Sequence, residues 1–103
     1  GVLVTQNGVA FQQLQEVRTT AVRIEKSFRD WTFYTTAVPT YVGGIMAFAW
    51  ASDTPSLKSI SLELLSERFA ESGITTRYYT PEVHRGSFAL PHYILDVIST
   101  VRT

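Results

Sequence analysis

Val38-Pro39-Thr40-Tyr41-Val42-Gly43-Gly44-Ile45-Met46-Ala47-Phe48-Ala49-Trp50-Ala51 is the stretch on which the fold turns. Two apolar runs, 32–38 and 45–51, flank a connection rich in proline and glycine, the pattern of two strands joined in a hairpin-like pair. In the second run Met46, Phe48 and Trp50 alternate with Ile45, Ala47, Ala49 and Ala51, so both faces are apolar. Such a strand is covered on both sides, as in the middle of a layered α/β sheet. Pro39 has no N–H to give a ladder, and regular pairing should stop there. Gly43 and Gly44 let the backbone turn at positive φ or approach a ligand closely. Tyr41 sits at the apex with an apolar ring and a polar hydroxyl, and is the first candidate for function. The plainer alternative is a turn tyrosine whose hydroxyl is simply satisfied.

Upstream, 2–5 reads as a short buried strand running into Gln6-Asn7-Gly8, and Asn-Gly is a strong turn signal. From 9 to about 30 the apolar positions Leu14, Val17, Ala21, Ile24 and Phe28 recur at intervals of three and four, which is one face of a helix. Thr19 and Thr20 lower its propensity, so packing must hold it. Strand, helix and strand make a βαβ unit, and such crossovers are right-handed in about 98% of cases. Downstream, Thr54-Pro55 reads as a helix start and Gly73 as its stop. Residues 75–79 read as extended, and Pro81 and Gly86 mark irregular structure. Pro91 opens a last helix with Ile94, Val97, Ile98 and Val101 on its buried side.

A chain of 103 residues suits one small domain, able to bury roughly 60–70% of its unfolded surface. Its charged fraction of 17% is low for a free-standing surface, a hint that part of it lies against something else. The formal net charge of zero argues against a nucleic-acid partner, which needs clustered Lys and Arg. No cysteine is present, so there is neither a disulfide framework nor a thiolate metal site. No apolar run reaches the roughly 18 residues of a membrane span, and no membrane partner is expected. The cytoplasm is the expected location. Gly1 leads straight into a strand, from which a truncated chain is expected.

Three segments carry a family resemblance. Pro39-Thr40-Tyr41-Val42-Gly43-Gly44 resembles the Pro-Thr-Tyr-x-x-Gly turn of the polyamine aminopropyltransferases, the spermidine synthase family. Arg77-Tyr78-Tyr79-Thr80-Pro81-Glu82-Val83-His84, followed by Ser87-Phe88-Ala89-Leu90-Pro91, is similar to that family's closing segment. Gly1-Val2-Leu3-Val4-Thr5-Gln6 resembles one of its late sheet strands and the glutamine after it. The likeness runs in order over essentially all of the chain and concerns only the C-terminal part of such an enzyme.

The resemblance implies an α/β fold, the C-terminal half of a methyltransferase-like nucleotide-binding fold. In it residues 1–103 form a single domain fragment: a late βαβ unit, a reversed strand lying between the other two in a mixed three-stranded sheet, and C-terminal helices. It also implies the reaction, transfer of an aminopropyl group from decarboxylated S-adenosylmethionine, a co-substrate, to putrescine or a similar diamine. By motif match Tyr41 hydrogen-bonds the attacking amine and Gln6 orients it from the end of its strand. Ile45 and Met46 are expected to line the wall beside the methylene chain. A glutamate expected in some members two residues after the glutamine is replaced here by Gly8. The glycine-rich nucleoside loop and the proton-accepting aspartate are expected upstream of Gly1. No catalytic residue is therefore assigned within the chain, which is expected to be inactive without the N-terminal half of the enzyme. The implied strand order puts 2–5 at a sheet edge, with Phe33, Met46 or Phe48 as candidates for an exposed patch, and a homo-oligomer is expected.

Other chemistry fits poorly. His84 and His92 stand eight apart with no third ligand, so no metal is expected. Ser87, His84 and Asp96 lack the context of a hydrolase nucleophile. Gly43-Gly44 has no Lys-Ser/Thr after it as a phosphate loop would. Trp31, Phe48 and Trp50 read as core, since no basic groove accompanies them. Gln6 has its own plain alternative, a strand-end amide that holds a turn. For the whole chain the alternatives are a non-catalytic α/β association or regulatory module and, more weakly, a methyltransferase-like enzyme with another acceptor.

Overall fold

The computed structural model describes residues 1–38 and 44–102. Strand β1 (Val2–Gln6) leads to helix α1 (Leu14–Glu25), and strands β2 (Asp30–Ala37) and β3 (Ile45–Ser52) follow. After them come a 3₁₀ helix (Pro55–Ser59), α2 (Leu62–Ser72), α3 (Pro81–Gly86) and α4 (His92–Arg102). The sheet order is β1-β3-β2, with β3 antiparallel to both neighbours. β1 and β2 therefore point the same way with the reversed strand between them, as expected, but with both pairings antiparallel the sheet is antiparallel rather than mixed. The hairpin register pairs Ala37 with Ile45 and Asp30 with Ser52, and just beyond it Val38 N–H donates to the Gly44 carbonyl at 2.7 Å. Gly44 takes φ +73°, the left-handed turn position that its lack of a Cβ permits. Tyr41 and Gly43 lie outside the described residues.

The period-two pattern of β3 divides the molecule into layers. Ala47, Ala49 and Ala51 face one side and join Trp31 and Phe33 of β2 in the main core. Against them pack Val17, Ala21 and Ile24 of α1 and Ile94, Val97 and Ile98 of α4. Three alanines in a row on that face let α1 lie close to the sheet. Burying Phe33, 0% exposed, and Ile94, 0% exposed, contributes about 1.5–3 kcal/mol each. Arg102 closes the layer: its guanidinium stands 4.5 Å over the Trp31 ring and donates to the Trp31 carbonyl oxygen. On the opposite face Phe48 stacks on Tyr34 at 5.2 Å, and Trp50 meets Phe88 edge-on at 6.2 Å.

Several expectations are corrected. β1 is not buried: Val2, Leu3 and Val4 are 48%, 38% and 47% exposed, because its outer side has no neighbour among the described residues. Phe33 and Met46 are buried and cannot form an exposed patch, and Phe48 is half-buried. The first helix starts at Leu14 rather than at 9, since Gln12 and Gln13 N–H groups both turn back onto the Val9 carbonyl. Thr54-Pro55 does open a helix, but a 3₁₀ one. Ile60, at ψ 133°, breaks it, and Ser61 starts α2 by accepting from Leu64 N–H at 3.1 Å. Residues 81–86 are helical rather than irregular: Thr80 Oγ1 accepts from Val83 N–H at 3.0 Å and Pro81 fills the first turn.

Candidate functional site at the end of β1

Gln6, the last residue of β1, pairs with Phe48. Beyond it two residues oppose one. Asn7 N–H donates to the Ala47 carbonyl, and Ala47 N–H donates to the Gly8 carbonyl, both at 2.8 Å. Such a bulge bends the chain out of the sheet. Gly8 takes φ +72° to complete the turn.

The Asn7 side chain, buried at 6% exposure, fixes this bend to the helix that follows. Its Nδ2 donates to the Glu16 carbonyl at 3.3 Å and to Thr20 Oγ1 at 2.5 Å, while its Oδ1 accepts from Thr5 Oγ1 at 3.2 Å. Thr20, a poor helix former, is thus held by a tertiary partner. Gln13 Oε1 accepts from Val9 N–H at 3.0 Å, closing the loop before α1. Side chains at the end of β1 and the start of α1 are thereby held at one place, the strand-end position where open α/β sheets bind ligands.

A cavity of about 430 Å³ results, lined by Gln6, Asn7, Gly8, Val9, Gln13, Glu16 and Met46. Two of the residues singled out from sequence, Gln6 and Met46, meet here. Ile45, next to Met46 on β3, is 49% exposed and is not among the lining residues. Tyr41 lies outside the described residues. Sequence reasoning missed Asn7, Gln13 and Glu16. Among the described residues Glu16 is the one carboxylate in the lining, and it sits in the first turn of α1. Chemically the cavity offers an amide at the strand end, an apolar thioether wall and one negative charge. That set can hold an apolar segment beside Met46 and a cationic group near Glu16.

A second cavity, of about 360 Å³, lies between the other sheet face and α3 and includes Tyr34, Trp50, Tyr79, His84 and Phe88. Tyr79 hydroxyl and His84 Nδ1 are hydrogen-bonded at 2.8 Å. Burial, then the neighbouring Arg85 charge, lowers the His84 pKa, and burial raises that of Tyr34. No carboxylate of the described residues lines this cavity. Ser87 Oγ donates to the His84 backbone carbonyl at 2.7 Å, and Asp96 lies 3.3 Å from His92, so Ser87, His84 and Asp96 form no relay. Among the described residues no group of three or more His, Cys, Asp or Glu is placed to hold a metal ion, and no helix is long and apolar enough to cross a membrane.

Comparison with known proteins bears on this arrangement. A family model described as spermine/spermidine synthase domain matches residues 1–61. The polyamine aminopropyltransferase 1 of Pseudomonas aeruginosa is 57% identical over 98 residues, 95% of this chain and 34% of that protein. The polyamine aminopropyltransferase of Serratia proteamaculans is 49% identical over 102 residues, 99% of this chain and 36% of the relative. Among solved structures, spermidine synthase from Thermotoga maritima superposes with a TM-score of 0.80 at 25% identity, covering 96% of this chain and 34% of that one. A spermidine synthase in complex with the transition-state analogue AdoDATO also gives 0.80 at 25% identity, covering 97% of this chain and 34% of its own. The chain spans about a third of the length of the curated relatives it matches.

Proposed function

The chain belongs to the spermine/spermidine synthase family, and on that premise we propose that it is the C-terminal part of a polyamine aminopropyltransferase acting on putrescine. The donor is decarboxylated S-adenosylmethionine, as a co-substrate. Residues 1–103 are one fragment of the catalytic domain, supply one side of the diamine pocket, and are inactive without the N-terminal portion. The expected location of the enzyme is the cytoplasm, with which a cysteine-free sequence is compatible. The observation that carries the reading is the meeting of Gln6, Met46 and a carboxylate in one cavity, in a chain so close in sequence to aminopropyltransferases.

In the reaction the neutral amine of the diamine attacks the carbon next to the sulfonium. A C–N bond forms as the C–S bond breaks, the sulfur leaves as a neutral thioether, and the amine sheds a proton. Catalysis of such a step is largely a matter of holding the nitrogen in line, uncharged, against the carbon. Gln6, at the strand end, is suited to orient that nitrogen through its amide, and Met46 to hold the methylenes. Tyr41 supplies the second hydrogen bond to the amine. The proton goes to an aspartate of the N-terminal portion.

Gln6→Ala in the full-length enzyme is expected to weaken putrescine binding by about 1–3 kcal/mol, the range for one oriented hydrogen bond, and to leave nucleoside binding nearly intact. Calorimetric titration with each ligand separates the two, and a large loss of nucleoside affinity would move Gln6 to the donor side of the site. Tyr41→Phe is expected to lower aminopropyl transfer by a similar amount with little change in the melting temperature. Steady-state kinetics beside a thermal melt check it; unchanged rates with a lowered melting temperature would make Tyr41 structural. The wider reading fails if the full-length protein transfers no aminopropyl group to any amine.

A further inference from the structure

We propose that Glu16 receives the far ammonium of the diamine and so sets the preference for a diamine over a monoamine. The proposal rests on the reading of the β1-end cavity as the diamine pocket and names a recognition residue within it. Resemblance places a glutamate two residues after the glutamine in some relatives, and here that position is Gly8. A side chain there is disfavoured: the φ of +72° strains any L residue, and a Cβ on Gly8 would stand 2.2 Å from Gln13 Oε1, so that the Gln13 side chain would have to move. The charge has to come from elsewhere. Glu16 lines the same cavity as Gln6 and Met46 and, among the described residues, is the carboxylate that does so.

Two features suit it to a ligand rather than to the fold. Its backbone is fixed from both sides, the N–H donating to the Gln13 carbonyl at 2.9 Å and the carbonyl accepting from Asn7 Nδ2 at 3.3 Å. Its carboxylate, by contrast, is exposed and has no hydrogen-bond or ion-pair partner among the described residues. A carboxylate on a fixed stretch of backbone, in a cavity whose other described polar groups are neutral, attracts a protonated amine by charge. Gln6 has no such charge, which leaves it free to hold the end that must react as a neutral amine. The two ends of a diamine are told apart in this way: the cation goes to Glu16, the nucleophile to Gln6.

The test uses the full-length enzyme, with Glu16→Gln and Glu16→Asp variants, titrated calorimetrically with 1,4-diaminobutane and with 1-aminobutane. Wild type should bind the diamine more tightly than the monoamine. Glu16→Gln should lower diamine affinity about five- to tenfold, the effect of one charge pair in a partly solvated cavity, and leave monoamine affinity within twofold. Glu16→Asp should fall between them. In turnover, KM for the diamine should rise while kcat at saturation changes little. Since the Asn7 contact is to the Glu16 main chain, the glutamine variant keeps it, and an unchanged melting temperature shows that the fold is intact. Equal losses for both amines, or an unchanged diamine affinity in Glu16→Gln, would overturn the role of Glu16 while the pocket reading stands. A wild-type enzyme that binds neither amine would overturn both.

Discussion

Gly8→Ala is expected to destabilise the 103-residue chain by about 2–6 kcal/mol, a large share of what a small domain has. Two costs combine. An L residue held at φ +72° adds about 1–3 kcal/mol of backbone strain. The new Cβ would also stand 2.2 Å from Gln13 Oε1 and 2.9 Å from Gln13 Cδ, so the glutamine side chain must leave. When it leaves, the Val9 N–H loses its acceptor, in a residue only 6% exposed, and an unsatisfied buried donor costs about 1–3 kcal/mol. The Gln13→Ala variant removes only that hydrogen bond. The double variant should therefore lose less than the sum of the singles, since the clash partner is already gone. Urea unfolding of the three variants measures each quantity. A Gly8→Ala midpoint close to wild type would mean that the bend relaxes freely and that the cavity it frames is soft.

Much of this bend was readable, but only locally. Asn7-Gly8 signals a turn in any sequence, and a turn is what forms. That Asn7 points inward and bonds Thr5, Glu16 and Thr20 depends on residues up to 13 positions away, which no dipeptide signal carries. Glu16 was unreadable for the same reason: it looks like one more polar position on a helix until the cavity is seen. The pair β2 and β3 was legible because period-two alternation and a Pro/Gly connection agree. α3 is legible too, since Thr80-Pro81 is the same cap-and-proline pattern as Thr54-Pro55. The apolar 9–10 stretch misled because Val9 and Ala10 are buried by a turn rather than by a helical face. For β1, composition says strand and says nothing of whether both sides have neighbours.

That last point leads to the expectation that the isolated chain self-associates through β1. Its inner side is fully paired with β3, from Val2 opposite Ser52 to Gln6 opposite Phe48. Its outer side presents N–H and C=O groups with no partner among the described residues, which is a template for another strand. Val2, Leu3 and Val4 are each more than a third exposed, so pairing would also remove apolar surface from water. No Pro or Lys within 2–5 guards the edge, and the bulge at Asn7-Gly8 comes only after the strand has ended. The sheet faces do not compete as the contact, because Phe33 and Met46 are buried. Edge pairing between copies is thus the expected mode. Leu3→Lys places a charge where two edges would meet and is expected to weaken association at least tenfold, about 1.4 kcal/mol. Light scattering at micromolar concentration reads the oligomer, and hydrogen exchange at Val2, Leu3 and Val4 reads the edge. A wild-type monomer whose β1 amides exchange freely would rule the idea out, and association unaffected by Leu3→Lys would move the contact to another surface.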